Sequence, residues 1–249
     1  MKGIQGKEYW INRPLNDPEH DWGEDSPNWA EGYLSWESVI HPHRKLIVDS
    51  LRVFEPLRSI LEVGCNAGPN LYRISQKYTS SSLYFGCDVN EDVIRIAREN
   101  FGAYVTFNVS SALDVPKLYK ENSMDVLLTD AVLIYVNPTE IEETLRGFDK
   151  VVRKGMIFVE RYDYKSELGV FNNSWNRNYE RLLTKMGYEV VKQKLGKKFW
   201  PTSKNWAKYG YIFIARKKAP VENEDSHLVE HLKLSRETFI PNPFARVHV

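Results

Sequence analysis

The stretch "ILEVGCNAGPNL", residues 60–71, decides the fold. An apolar run stops at Gly64, a turn carries the chain to Gly68, and Pro69 opens a segment with helical spacing. Proline suits a first helical position, because the N–H it lacks is one of the donors left unpaired there. A strand, a glycine bend and a helix in that order bring backbone N–H groups close to a ligand.

Between residues 59 and 160 the unit repeats. The apolar runs "SILEVG", "LYFGCD", "VTFNV", "DVLLTD" and "MIFVER" show little polar alternation, as central parallel strands covered on both faces do. Amphipathic segments lie between them. "PNLYRISQKY" sets Leu71, Ile74 and Tyr78 on one stripe, and "NEDVIRIAREN" opens with Asn90 as a helix cap. "TEIEETLRGFDKVV" opens with Thr139 as a cap and carries Ile141, Leu145, Phe148 and Val152 as its stripe. Right-handed crossovers then imply an α/β protein with a doubly wound, mostly parallel, seven-stranded sheet.

Beyond residue 165 the pattern predicts a helix over 172–187 and two strands, "YEVVKQKL" and "YGYIFIARK". The segment between those strands lacks a helical stripe, so an antiparallel C-terminal edge hairpin is expected. Residues 1–45 hold Trp10, Trp22, Trp29 and Trp36, four of the seven tryptophans, and are expected as an aromatic N-terminal cap over the sheet. The main domain is assigned to 46–218. Residues 219–249 read as a polar tail with a short helix around "SHLVEHLKL".

Composition narrows the function classes. With 42% hydrophobic and 27% charged residues the chain is of globular type, and a net charge of +1 gives no global attraction to nucleic acid or anionic membranes. No apolar run approaches the roughly 18 residues of a membrane span, and the start resembles no signal peptide, so a cytoplasmic location is expected. Cys65 and Cys87 have neither disulfide-framework nor zinc spacing and read as buried thiols.

The bend fails the dinucleotide fingerprint G-x-G-x-x-G, because Asn66 and Pro69 occupy its second and third glycine positions. It does offer Glu62 near the strand end and Asp88 at the end of the next strand, where a carboxylate can accept from both hydroxyls of a ribose. A ribose-bearing ligand with a positive charge fits this set.

"LEVGCNAGPNL" resembles the first motif of class I S-adenosylmethionine-dependent methyltransferases, and "FGCDVNEDVIRIAREN" resembles their second strand and helix. The resemblance spans roughly residues 55–160; "DVLLTDAVLIYVNP" is similar, more narrowly, to methylases of surface-sugar biosynthesis. It implies S-adenosyl-L-methionine as cofactor. Gly64, Cys65, Asn66 and Gly68 then lie at its methionine part, Asp88 and Val89 at the ribose, Ser111 and Ala112 at the adenine, Glu62 at the amino end, and Thr129 and Asp130 beside the methionine. Where many relatives have an aspartate facing the adenine amino group, this chain has Ser111, with Asp114 three residues on.

Methyl transfer needs a base only when the acceptor must lose a proton. The strand ends facing the crevice offer Glu160 as that base, with Tyr135 and Tyr162 to orient the acceptor. His41 and His43 in "HPHR" can also serve as a base, although such histidines more often sit at a surface or cap a helix. Asp130 and Asp163 without a third ligand do not make a metal site. The expected acceptor is a small polar molecule, an O or N atom of a sugar or sugar nucleotide, and the expected assembly a monomer or homodimer. Nucleic acid is the less favoured partner; an RNA or protein methyltransferase would use the basic edge Lys192–Lys208, and a non-catalytic S-adenosylmethionine-binding protein is the rival from another class.

Overall fold

The computed structural model describes residues 6–17, 28–78, 82–164, 168–169 and 174–218. The expected tail over 219–249, with its helix, lies outside them, as does Trp22. Four short helices come first: α1 (Lys7–Ile11), α2 (Trp29–Gly32), α3 (Trp36–Val39) and α4 (Pro42–Ser50). The alternating region follows with β1 (Ser59–Val63), α5 (Pro69–Ser75), β2 (Leu83–Asp88), α6 (Glu91–Phe101), β3 (Val105–Val109), α7 (Val115–Leu118), β4 (Met124–Asp130), α8 (Ile141–Val151) and β5 (Val152–Arg161). A two-stranded ribbon, β6 (Leu168–Gly169) and β7 (Trp175–Asn176), precedes α9 (Tyr179–Lys185). The chain then runs through β8 (Tyr188–Lys194), α10 (Gly196–Phe199), α11 (Lys204–Tyr209) and β9 (Gly210–Lys217).

One seven-stranded sheet has the order β3-β2-β1-β4-β5-β9-β8. Strands β1 to β5 pair in parallel, and β9 pairs antiparallel with both β5 and β8. The doubly wound sheet and its antiparallel edge are therefore present as expected. Every residue of β1 is buried, because both of its faces carry core. Ile60 belongs to the cluster with Ile47, Leu71 and Ile94, and Leu61 and Val63 to the cluster with Leu145, Phe148 and Phe158. The strand order reverses between β1 and β4, which opens a crevice at their carboxyl ends.

Local departures from the expected elements have visible causes. Helix α8 begins after Glu140 rather than Thr139, because Asn137 Oδ1 takes both the N–H and the hydroxyl of Thr139 into a turn. Among the described residues of the helix expected over 172–187, only α9 is helical, since Trp175 and Asn176 pair in the ribbon and Asn178 caps the helix through the Arg181 N–H. The link between β8 and β9 holds α10 and α11, seated through Trp200 and Trp206, whose rings stack at 4.4 Å.

The N-terminal helices cross the crevice. Asn90 caps α6 with its oxygen and donates from Nδ2 to Trp10 O and Arg13 O, at 2.9 and 3.1 Å. The Arg13 guanidinium lies 4.2 Å from the Trp29 ring centroid and 5.0 Å from that of Trp10, and its Nε donates to Asp17. Trp10 meets the Tyr135 ring edge-on at 5.2 Å. Tryptophan faces attract a guanidinium, so Arg13 joins α1 to α2, and Asn90 and Tyr135 hold α1 beside the ends of β2 and β4. Among the described residues no helix is long and apolar enough to cross a membrane.

Candidate active site

Val63 lies opposite Cys87 of β2 and Thr129 of β4, so the residues that follow these three border one crevice. Gly64 turns with φ +72° and Gly68 with φ +90°. A Cβ on Gly64 would stand 2.1 Å from Val132 Cγ2; only glycine lets the bend and the β4 loop approach this closely. A Cβ on Gly68 would meet Phe101 and Phe107 of the core at 3.1 and 3.2 Å. At Gly68 the left-handed backbone, rather than a cavity, excludes other residues.

The bend is fastened to β2. The Gly64 and Cys65 N–H groups both donate to Cys87 O, at 2.7 and 3.0 Å, and the Asn66 N–H donates to Asp88 Oδ2 at 3.0 Å. Asp88 Oδ1 accepts from the Asn90 N–H at 3.0 Å. Burial raises the Asp88 pKa, and the N–H groups of Asn90, Asn66 and Val89 oppose it. A carboxylate has about four acceptor positions, so Asp88 keeps capacity for a ligand. Cys65 and Cys87 are buried free thiols, as expected.

Beneath the bend lies a polar cluster. Asn70 Nδ2 donates to Glu62 Oε1 at 2.7 Å and to Asp130 Oδ2 at 3.0 Å, and Arg44 Nη1 donates to Asn70 Oδ1 at 2.6 Å. Glu62 Oε2 and Asp130 Oδ1 are buried without a hydrogen-bond partner. Burial drives the Glu62 pKa up to about 8, with the Asn70 bond opposing it. Two carboxylates with orphaned oxygens at one cavity wall are suited to a cationic ligand, since an unpaired buried acceptor costs about 1–3 kcal/mol. Asn70 and Arg44 were not among the residues the sequence pointed to; both are buried polar side chains on helices that pack against the sheet.

A cavity of about 1930 Å³ joins these parts. Of the residues expected from the sequence, Glu62, Gly64, Cys65, Asn66, Asp88, Val89, Ser111, Ala112, Asp130 and Tyr135 line it. Gly68 and Thr129 stand behind the lining. The Ser111 hydroxyl donates to Asp114 Oδ2 at 2.6 Å, so the serine and the displaced aspartate act as one unit. His41, His43, Trp200 and Trp206 wall the cavity beside Asp130, and Trp10, Glu31 and Tyr33 line it from the N-terminal segment.

Two residues expected at the acceptor lie elsewhere. Glu160 is fully buried and does not border the cavity. Its Oε1 accepts from the Thr129 hydroxyl and the Val132 and Leu133 N–H groups, and its Oε2 accepts from the Ile134 N–H, at 2.9 to 3.2 Å. It clasps the loop after β4. Burial raises its pKa to about 7 and those donors oppose the rise. The Tyr162 ring lies tilted against Tyr211 and Phe213, and its hydroxyl meets Lys192 and Glu180. Strand pleating explains both: a strand-end residue is aimed by its register, not by its nearness to the crevice.

A family model described as a methyltransferase domain matches residues 55–216. The chain belongs to this methyltransferase family. It is an S-adenosylmethionine-dependent methyltransferase of class I. The fold is similar to that of magnesium protoporphyrin IX methyltransferase from Synechocystis PCC 6803, solved with bound SAM, with 14% identity, 85% of this chain and 95% of that chain covered, and a TM-score of 0.60. It is also similar to a SAM-dependent methyltransferase from Aquifex aeolicus at 15% identity, covering 75% and 96% of the two chains with a TM-score of 0.55. An O-methyltransferase family protein from Burkholderia thailandensis aligns at 13% identity over 77% and 59%, with a TM-score of 0.59. No curated protein sequence matches this methyltransferase. At such identities the structural likeness carries the fold alone. The fit of the cofactor rests on the chain's own orphaned Glu62 oxygen, the Asp88 carboxylate and the Gly64 approach.

Proposed function

We propose that this methyltransferase modifies an O or N atom of a small polar acceptor, a sugar or sugar nucleotide, held against the tryptophan-walled end of the cavity. The observation that carries the reading is the continuous cavity of about 1930 Å³ among the described residues, well above the roughly 300–1,000 Å³ of a one-ligand pocket. It has room for two molecules. The bend side offers Asp88, Glu62 and Gly64, and past Asp130, which meets His43 at 2.9 Å, the wall offers Trp200 stacked on Trp206 with His41 and His43 beside them. Flat aromatic faces with polar neighbours suit a sugar or a nucleotide ring.

When bound, the cofactor supplies an electrophilic methyl group on a sulfonium. The chain's residues then divide the work. Asp88 accepts from the ribose hydroxyls, Glu62 and Asp130 face the cationic end, Gly64, Cys65, Asn66 and Val89 shape the wall, and Ser111 and Ala112 flank the adenine. Gly68 and Thr129 support that wall from behind. Tyr135, tied to Trp10, closes the site from the cap side and limits water. Lys192, the first lysine of the alternative RNA-tracking edge, is paired with Glu180, which supports the small-acceptor reading over that one.

Incubation with radiolabelled S-adenosylmethionine and a panel of sugar nucleotides, with bulk tRNA as a parallel arm, tests this. Label in the sugar arm is expected. Label confined to tRNA, or to neither, overturns the reading. Within it, Asp88→Ala is expected to weaken S-adenosylhomocysteine by about tenfold or more, because a buried diol loses its acceptor at a cost of about 1–3 kcal/mol. Calorimetry on the folded variant checks this, and unchanged affinity removes Asp88 from the site.

Cofactor binding is also expected to strengthen with pH. Glu62 holds a proton up to about pH 8 when no cation faces it, and a bound ammonium lowers that pKa, so binding near pH 7 releases a proton. Affinity should rise between about pH 6 and 8, with a slope of at most tenfold per pH unit. For the ligand-free fold the sign is opposite. The folded pKa lies above the unfolded value of 4.5, so this group's contribution to stability is greatest below about pH 4.5 and is lost toward pH 8. Calorimetry in buffers of differing ionisation enthalpy reads the proton directly, and proton uptake or none would exclude Glu62 as the facing group.

A further inference from the structure

The wall between Asp130 and Trp200 holds a chain of titratable side chains that runs from β4 to the start of α4. His43 Nε2 lies 2.9 Å from Asp130 Oδ2, and His43 Nδ1 lies 2.5 Å from His41 Nδ1. Trp200 covers the pair, stacked on His43 at 4.2 Å and tilted over His41 at 5.1 Å. His41 Nε2 is buried without a partner, and His41 borders the cavity.

Hydrogen-bond chemistry sets the tautomers along this chain. Burial alone would raise the Asp130 pKa, but His43 and Arg44 prevail and bring it down to about 2. The carboxylate can therefore only accept, and His43 Nε2 carries the proton. Burial keeps His43 neutral against the pull of Asp130, which leaves a lone pair on its Nδ1. His41 Nδ1 must then be the donor between the two rings. What remains on His41 Nε2 is a lone pair.

We propose that Asp130, His43 and His41 form a relay in which His41 Nε2 is the general base that takes a proton from the acceptor's hydroxyl or amine. The proposal rests on the small-acceptor reading above and assigns its missing base, the place that Glu160 does not fill. In the transfer the acceptor's O–H or N–H bond breaks and its proton goes to His41 Nε2. The heteroatom's electron pair forms the new bond to the methyl carbon, and the pair of the broken carbon–sulfur bond stays on sulfur. His41 can then pass its Nδ1 proton to His43 Nδ1, which places the positive charge directly against the Asp130 carboxylate. His41 is the catalytic residue, and His43 and Asp130 are positioning residues. Burial, then His43 and Arg44, lower the His41 pKa to about 4 against the opposing pull of Asp130. Among the described residues those are the charged and titratable groups that face it, and Trp200 brings no charge. The lone pair is thus available throughout the neutral range.

Nitrogen-15 spectra of the histidine rings in the whole protein, alone and with S-adenosylhomocysteine, test the relay without turnover. The expected pattern near pH 7 is a proton on His43 Nε2 and on His41 Nδ1, with His41 Nε2 unprotonated. His41→Gln tests the role. His41 makes no capping bond in α4, so the variant should fold, with a melting temperature near that of the parent. S-adenosylhomocysteine affinity is expected to stay within about threefold, while methylation of the sugar nucleotide that the panel identifies falls about 100- to 10,000-fold. Turnover within about threefold of the parent, or a proton on His41 Nε2, overturns the relay. If no sugar nucleotide is methylated, the small-acceptor reading falls, and the spectra still decide the relay on their own.

Discussion

Gly64→Ala is expected to weaken cofactor binding by about 100-fold or more and to destabilise the fold. An alanine there needs the left-handed backbone of φ +72°, which costs about 1–2 kcal/mol for a residue with a Cβ. Its methyl would also stand 2.1 Å from Val132 Cγ2. Val132 has a stiff branched side chain on the loop that Glu160 clasps, so it cannot step aside without that loop. Overpacking of this kind adds about 1–3 kcal/mol. Together these predict a loss of about 2–5 kcal/mol in stability. Because Val132 itself borders the cavity, the displacement is expected to reduce S-adenosylhomocysteine affinity by about 100-fold or more. Chemical denaturation and calorimetry measure the two effects. A Gly64→Ala protein with parental stability would show that the bend and the β4 loop do not touch.

Glu160→Gln should likewise act through the fold. The carboxylate takes three backbone N–H groups and a hydroxyl. A glutamine presents one amide NH2 to that set, so a donor meets a donor in a buried place. An unpaired buried group costs about 1–3 kcal/mol, and more when the bond was to a charge. A loss of about 3 kcal/mol is expected, which lowers the melting temperature by about 6–12 °C in a domain of this size. Cofactor binding should weaken with it, because the clasped loop carries Val132 and directly follows Asp130. Loss of turnover at parental stability would instead return Glu160 to the chemistry as a base.

The Glu160 prediction shows where sequence reading stops. "DVLLTD" and "MIFVER" announce two strands, and the residues after them border a crevice in any doubly wound sheet. Whether Glu160 looks into that crevice or back at its neighbouring loop depends on register across β4 and β5, which no local pattern records. The same limit applies to α9, shortened because Trp175 and Asn176 found a partner in the ribbon. Thr139 gave way as a cap for a different reason, since the Asn137 side chain competes for the same turn. Short polar side chains bond their own backbone in several ways, and tertiary context selects among them.

By itself the sequence determined the strand–bend–helix unit, the succession of the parallel elements along the chain, the antiparallel edge and the place of the Asp88 carboxylate at the end of β2. All of these follow from local spacing: apolar period, glycine placement and the distance between consecutive strand ends. Only the tertiary structure decided which polar residues gather beside the bend. His43 and Asp130 are 87 residues apart in the chain, and Asn70 joins Glu62 to Asp130 from a third element. A buried polar group takes its role from the partner that satisfies it, and in this protein that partner comes from a distant part of the chain.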